Sequence, residues 1–182
     1  MPSLKNNTSP LIWIDLEMAG LIPEMDKILE IAVILTDSEL NPLDEGINLV
    51  IHQSEEILAS MNNWCIKQHG KSGLTQLVRE STIDISTAEK YVLSYIKEKC
   101  PEGLSPLCGN SVGHDKRFLE IWMPTLTTYL HYRIVDVSTI KELAKRWYPK
   151  EKPLAKKEGH RALDDILESI EELRWYKTTI FR

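Results

Sequence analysis

Apolar and polar positions alternate in blocks along the chain, and the first blocks are short and rich in β-formers. Residues 11–17, Leu-Ile-Trp-Ile-Asp-Leu-Glu, read as a strand buried on at least one face, and residues 28–36, Ile-Leu-Glu-Ile-Ala-Val-Ile-Leu-Thr, read as a second. A turn over 37–44 and a third strand over 47–52 complete an antiparallel meander. The pattern then changes period. Residues 55–69 predict one or two short helices carrying Trp64, and residues 83–100 space Ala88, Val92, Tyr95 and Ile96 along one helical face. Ser86 followed by Glu89 has the form of a capping box inside that window.

Strands and helices alternate from there on. A short strand over 106–110 runs into Gly109-Asn110 and precedes a helix over 114–122. A fifth strand covers 134–137, Ser138 is placed as the cap of a helix to Trp147, a lysine-rich loop covers 150–159, and a last helix spans 160–177. The expected fold is α/β: a mixed five-stranded sheet with helices on both faces.

Within the first strand, Asp15 and Glu17 stand two residues apart and so share a face, about 6–7 Å apart along the axis. Two readings are open at this point. Buried, the pair repels itself and loses hydration, which a divalent cation would offset. At a strand end emerging into solvent, the same pair is two ordinary surface acids.

Bulk properties narrow the classes. The 182 residues suit one domain over 1–182, with 1–10 expected as a flexible N-terminus. Cys65, Cys100 and Cys108 are odd in number and lack CxxC spacing, which favours a reduced, cytoplasmic setting. No signal-peptide pattern opens the chain, and no run approaches the ~18 apolar residues of a membrane span. A net charge of −5 argues against long duplex nucleic acid held on a basic surface. A short anionic substrate remains compatible, provided that bound metal reverses the local charge.

Three separated motifs carry the chemistry. Asp15-x-Glu17, then Asn110-x4-Asp115, then His160-x4-Asp165 occur in that order. The pattern resembles the three exonuclease motifs of the DEDDh 3′→5′ exonucleases. Residues 13–21 (Trp-Ile-Asp-Leu-Glu-Met-Ala-Gly-Leu), 108–111 (Cys-Gly-Asn-Ser), 131–133 (His-Tyr-Arg) and 136–143 (Asp-Val-Ser-Thr-Ile-Lys-Glu-Leu) narrow the resemblance to the oligoribonuclease family, along nearly the whole chain.

That resemblance implies a ribonuclease-H-like fold and hydrolysis of short single-stranded RNA, dinucleotides above all, from the 3′ end to nucleoside 5′-monophosphates. It implies that Asp15, Glu17, Asp115 and Asp165 hold two divalent ions and that His160 is the general base. The chemistry suits these residue types. Oxygen-only ligands select Mg²⁺ or Mn²⁺ over Zn²⁺, and two such ions about 3.5–4 Å apart stabilise the attacking and leaving oxygens. An unperturbed histidine pKa near ~6.5 fits a base that contributes about 10²–10⁴-fold in rate.

Helical phase leaves the last ligand open. Counted from a helical His160, Asp164 lies about 40° round the helix and Asp165 about 140°, both well off the apolar stripe. Asp165 rests on the family's spacing alone. The resemblance further implies that Leu21 wedges between the two bases. It also implies that His131-Tyr132-Arg133, Ser138 and Thr139 cap the 5′ phosphate, with Tyr132 and Arg133 coming from the partner of a homodimer, and that Ser111 contacts the substrate. An arginine fork, hydroxyls and free helix N–H groups suit such an anion. The residues themselves admit plainer roles: Leu21 folded onto the core, Ser138 as an N-cap, Tyr132 as packing. Trp64 is either a base-stacking platform or a core residue. His114 stands where the family commonly has glutamine, and Ala19 where it has threonine. His114 beside Asp115 is either a titrating group near the substrate or a replacement for the amide's hydrogen bond. Two rival functions are a related nuclease for longer DNA or RNA, which needs a basic track, and a catalytically silent binding module, which predicts a lost ligand.

Overall fold

The computed structural model describes residues 9–151 and 161–181. Expectations placed on residues 1–8, on 152–159 of the lysine-rich loop and on His160 lie outside these residues. Elements run β1 (Leu11–Met18), β2 (Ile28–Thr36), β3 (Ile47–Val50), α1 (Glu55–Ser60), α2 (Asn63–Lys71), α3 (Leu74–Glu80) and α4 (Ile85–Lys97). They continue β4 (Pro106–Gly109), α5 (Gly113–Trp122), α6 (Pro124–Tyr129), β5 (His131–Asp136), α7 (Val137–Trp147) and α8 (Ala162–Thr179). Among the described residues no helix is long and apolar enough to cross a membrane.

The strands form one mixed sheet in the order β3-β2-β1-β4-β5. The expected meander is present: β1 and β2 are antiparallel, as are β2 and β3. β4 then joins β1 in parallel, and β5 joins β4 in parallel. β1 is central, which explains why its apolar run lacks the polar alternation of a half-exposed strand.

Period-2 geometry sorts β1 between two cores. Ile12, Ile14 and Leu16 pack with Val92 and Ile96 of α4, Phe118 of α5 and Leu126 of α6. Trp13 enters the opposite core with Ala32 and Ile34 of β2, Val137 of α7, and Ile166 and Ile170 of α8. Its indole N–H is satisfied by the Thr36 hydroxyl at 3.0 Å. Asp15 and Glu17 are in phase with Trp13, so they stand on the face that α8 covers. The pairing of β1 with β4 involves only Ile12 with Leu107 and Trp13 with Cys108. β4 ends at Gly109 while β1 continues to Met18, so Asp15 and Glu17 lie toward the C-terminal ends of the parallel strands, where ligands gather in α/β sheets.

Several expectations need correction. α3 and α6 lie where no helix was expected. β5 begins at His131, three residues early, because Pro106 already pairs with His131 across the β4 edge. The cap of α4 is Asp84, whose carboxylate accepts the Thr87 N–H at 2.7 Å. The expected capping box is therefore not formed, and Glu89 accepts from Leu126 N–H in α6 instead. Likewise α7 is capped by Asp136, and Ser138 donates its N–H to that carboxylate at 2.9 Å. In both cases the better acceptor, an aspartate, lies two residues upstream of the expected serine. Cys65, Cys100 and Cys108 are all buried and free.

Candidate active site

The α8 face of β1 gathers three carboxylates. Asp15, Glu17 and Asp165 each place one ligand oxygen so that all three lie within 4.8 Å of one another. Asp164, next to Asp165, is exposed. Helix α8 starts at Ala162 with Arg161 still extended, so a helical phase counted from position 160 does not apply, and it is Asp165 that joins the β1 acids. Asp115 comes from the other side of the sheet. It is buried at the start of α5, and its Oδ1 accepts the Leu16 N–H at 3.2 Å, the peptide between the two β1 acids.

The electrostatics show a site short of positive charge. Burial first, then the charges of Asp165 and Glu30, push the Glu17 carboxyl up to about 8, against the opposing pull of Arg161. Burial likewise raises Asp115 to about 7, although two backbone N–H groups favour its ionised form. Oxygen-only donors crowded until they retain protons near neutrality fit a hard divalent cation such as Mg²⁺ or Mn²⁺, which would replace those protons.

Two further side chains surround the cluster. Glu30 of β2 is fully buried, pairs across the sheet with Glu17, and is held by the Arg161 guanidinium at 3.0–3.1 Å from Nε. His69 of α2 is also buried, with Nε2 at 2.9 Å from Met18 O and Nδ1 at 3.8 Å from Glu17 Oε2. Both escaped the sequence reading. A lone acid inside an otherwise apolar strand was the signal for Glu30; nothing in the sequence singled out His69.

Past the end of β1, Leu21 is 71 % exposed, so it does not fold onto the core. Its loop is held by Ile22 N–H on Asp26 Oδ2 at 2.7 Å and Trp122 Nε1–H on Pro23 O at 2.9 Å. Trp64, in the first turn of α2, is 64 % exposed and is not a core residue. His114 packs edge-on against Phe118, and its Nε2 is buried without a hydrogen-bond partner among the described residues.

Ser111 and Ser138 meet as a pair, their hydroxyls 3.1 Å apart. Ser111 sits at φ 54°, a left-handed conformation that its bonds stabilise: its N–H reaches Asp136 Oδ1 at 3.0 Å and Ser138 Oγ at 2.9 Å. Asp136 takes the N–H groups of both Ser111 and Ser138, so the Ser138 N–H at the start of α7 is not free for an anion. The hydroxyls and the exposed Thr139 remain on the surface there. Asn110 ties this corner to α8, donating to Ser169 Oγ at 2.8 Å and Glu172 Oε2 at 3.2 Å. Tyr132 and Arg133 lie on the outermost strand β5. Tyr132 is 74 % exposed, stacked on His131, with the Arg133 guanidinium 5.1 Å from its ring. No described hydrogen bond or ion pair joins either residue to the carboxylates of its own chain.

Comparisons with known proteins agree with this architecture. The exonuclease family model RNase_T matches residues 12–173. The chain is 52 % identical over 181 residues to a probable oligoribonuclease of Dictyostelium discoideum, covering 100 % of this chain and 95 % of that protein. It is 55 % identical over 174 residues to the mitochondrial oligoribonuclease of Homo sapiens, covering 94 % of this chain and 73 % of that one. For the oligoribonuclease of Pseudoalteromonas atlantica the figures are 54 % over 172 residues, with 94 % and 95 % covered. Among solved structures, a zinc-bound E. coli exonuclease I complex with single-stranded DNA superposes with a TM-score of 0.78 at 16 % identity. It covers 97 % of this chain and 42 % of that one, so the present chain spans about two fifths of its length. Exonuclease I of Methylocaldum szegediense gives 0.76 at 16 % identity, covering 96 % of this chain and 41 % of that one. At such identity the likeness is one of fold.

Proposed function

Since the chain belongs to the oligoribonuclease family of exonucleases, and is therefore a phosphodiester hydrolase, we propose that it shortens single-stranded RNA of a few nucleotides from the 3′ end. Dinucleotides are its last and preferred substrates, and nucleoside 5′-monophosphates its products. The observation that carries this reading is the meeting of Asp15, Glu17 and Asp165 within 4.8 Å, with Asp115 bonded to the peptide between the first two.

In the proposed reaction, water attacks the last phosphorus, the P–O3′ bond breaks, and the shortened chain leaves with a 3′-hydroxyl. Asp15, Glu17 and Asp165 would hold one Mg²⁺ or Mn²⁺, and Asp115 with Asp15 would help to hold a second. Such ions, when bound, supply Lewis acidity for the phosphoryl oxygens and lower the pKa of the attacking water. His160, outside the described residues, is retained as general base on the family's spacing.

Recognition falls to the rim. Leu21 and Trp64 present exposed apolar surface to the two bases, whose faces stack without sequence preference. The 5′ phosphate is taken by the Ser111, Ser138 and Thr139 hydroxyls, with Tyr132 and Arg133 supplied by a second copy. His114 faces the neighbouring part of the substrate. The exposure of Tyr132 and Arg133 on an edge strand supports a homodimer in which they act across the interface. Three free, buried cysteines support a reduced, cytoplasmic setting.

A test uses 5′-labelled RNAs of two to about ten nucleotides with Mg²⁺ or Mn²⁺, a range matched to a site closed at its 5′ end. The expected outcome is complete conversion, with the dinucleotide cleaved at least as fast as the longer chains. A dinucleotide that survives while longer chains are trimmed points instead to a nuclease for long polymers. No hydrolysis of any length points to a silent binding module.

A further inference from the structure

Glu30 has no solvent exposure and sits in β2 directly across from Glu17. A buried carboxylate is strongly destabilising unless it is paired and hydrogen-bonded. Asn48 of β3 supplies one bond at 2.9 Å. The others among the described residues come from the start of α8. Arg161 Nε lies 3.1 and 3.0 Å from the two oxygens, its Nη2 bonds Oε1, and the Ala162 N–H reaches Oε2 at 3.4 Å.

That helix end lacks a cap of its own: Arg161 is its N-cap residue and makes no side-chain capping bond. Glu30 therefore does from the sheet what an N-cap acid does locally, accepting a free helix N–H and setting negative charge at the positive helix end. The same first turn carries Asp165, whose N–H bonds Arg161 O at 3.1 Å. One ion pair thus fixes the helix turn of one ligand to the strand beside the other two.

We propose that the Glu30–Arg161 pair is the positioning device of the carboxylate cluster. It sets the height and rotation of the first turn of α8 so that Asp165 meets Asp15 and Glu17, and thereby sets the affinity of the cluster for divalent cations. The proposal rests on the reading of those carboxylates as a metal site. A role in stability alone is the competing account; Glu30 is buried and Arg161 partly so, and replacing such an ion pair by well-packed apolar side chains of similar volume is often neutral or stabilising. The two accounts part when the pair is replaced by such side chains.

The experiment measures Mn²⁺ binding by calorimetry and thermal unfolding in chelator, on the full chain stripped of metal. Wild type is compared with Glu30→Gln, with the double variant Glu30→Leu/Arg161→Leu, and with Asp165→Asn. Glu30→Gln is expected to weaken Mn²⁺ binding about 10- to 100-fold, as loss of partners behind metal ligands does, and to lower the metal-free Tm. The double variant is expected to recover that Tm but not the Mn²⁺ affinity. If Glu30→Gln does not fold, the double variant decides alone. Wild-type Mn²⁺ affinity in either folded variant overturns the proposal. Wild-type affinity in Asp165→Asn overturns the metal-site reading itself, independently of Glu30.

Discussion

Asp164 and Asp165 are neighbours in sequence, yet one is exposed and the other lies within 4.8 Å of two carboxylates, so their replacement should have opposite outcomes. Asp165→Asn is expected to lower kcat on a dinucleotide by about 10²-fold or more, the scale of lost metal charge stabilisation. Asp164→Asn should leave it within about twofold, as an exposed substitution does. The raised carboxyls make a second prediction. Glu17, at about 8, is far above its usual 4.5, and Asp115, at about 7, is far above 3.8. The folded state thus holds protons that the unfolded chain has released, so metal-free stability must fall as pH rises from about 4.5 to about 8. Thermal unfolding in chelator at pH 6 and pH 8 should show Tm falling in the wild type and falling less in Glu17→Gln. Saturating Mn²⁺ should raise Tm most at the higher pH. At this scale the sequence exposed residue types well and partners poorly. Asp15, Glu17 and Asp115 were visible by spacing and motif, whereas Arg161 was invisible because its role depends on a strand 131 positions away.

Local elements position these residues, and the loop over 19–27 is the clearest case. A Cβ on Gly20 would lie 2.3 Å from Asp26 Oδ2, the acceptor that closes the loop onto Ile22 N–H. Gly20→Ala should therefore displace Asp26 and loosen Leu21. The expected outcome is a several-fold higher KM for the dinucleotide with a smaller change in kcat, read by steady-state kinetics. Caps give a control far from the chemistry: Asp84→Ala should cost about 1 kcal/mol in urea unfolding, whereas Ser86→Ala should cost less. All five strands and most helices were legible from apolar runs bounded by turn residues or, in α4, from a helical period of 13 residues. α3 and α6 were not, having seven and six residues and burying only Leu74 and Val78, or Leu126. The serine caps were misplaced because hydroxyls and carboxylates two residues apart satisfy the same sequence pattern, and only the backbone geometry selects between them.

Across the whole molecule, a net charge of −5 and an acidic cluster leave any attraction for RNA to bound cations and to groups at the rim. The mixed five-stranded sheet was legible from element order, three strands followed by alternating helices and strands, whereas the order β3-β2-β1-β4-β5 that sets β1 beside β4 is given by the structure. The proposed homodimer rests on the family resemblance instead, since nothing within one chain's periodicity encodes a partner. If Tyr132 acts across an interface, mixing Tyr132→Ala with Asp165→Asn should restore activity that neither has alone. Random pairing would yield about one quarter of the wild-type value; no recovery on subunit exchange would place Tyr132 outside the partner's site. Whether Asp15, Glu17, Asp165 and Asp115 hold divalent ions is decided by an anomalous difference map from Mn²⁺-soaked crystals. Peaks bounded by Asp15, Glu17 and Asp165, with a second near Asp115, are predicted; a saturating soak that leaves these carboxylates without a peak would contradict the account.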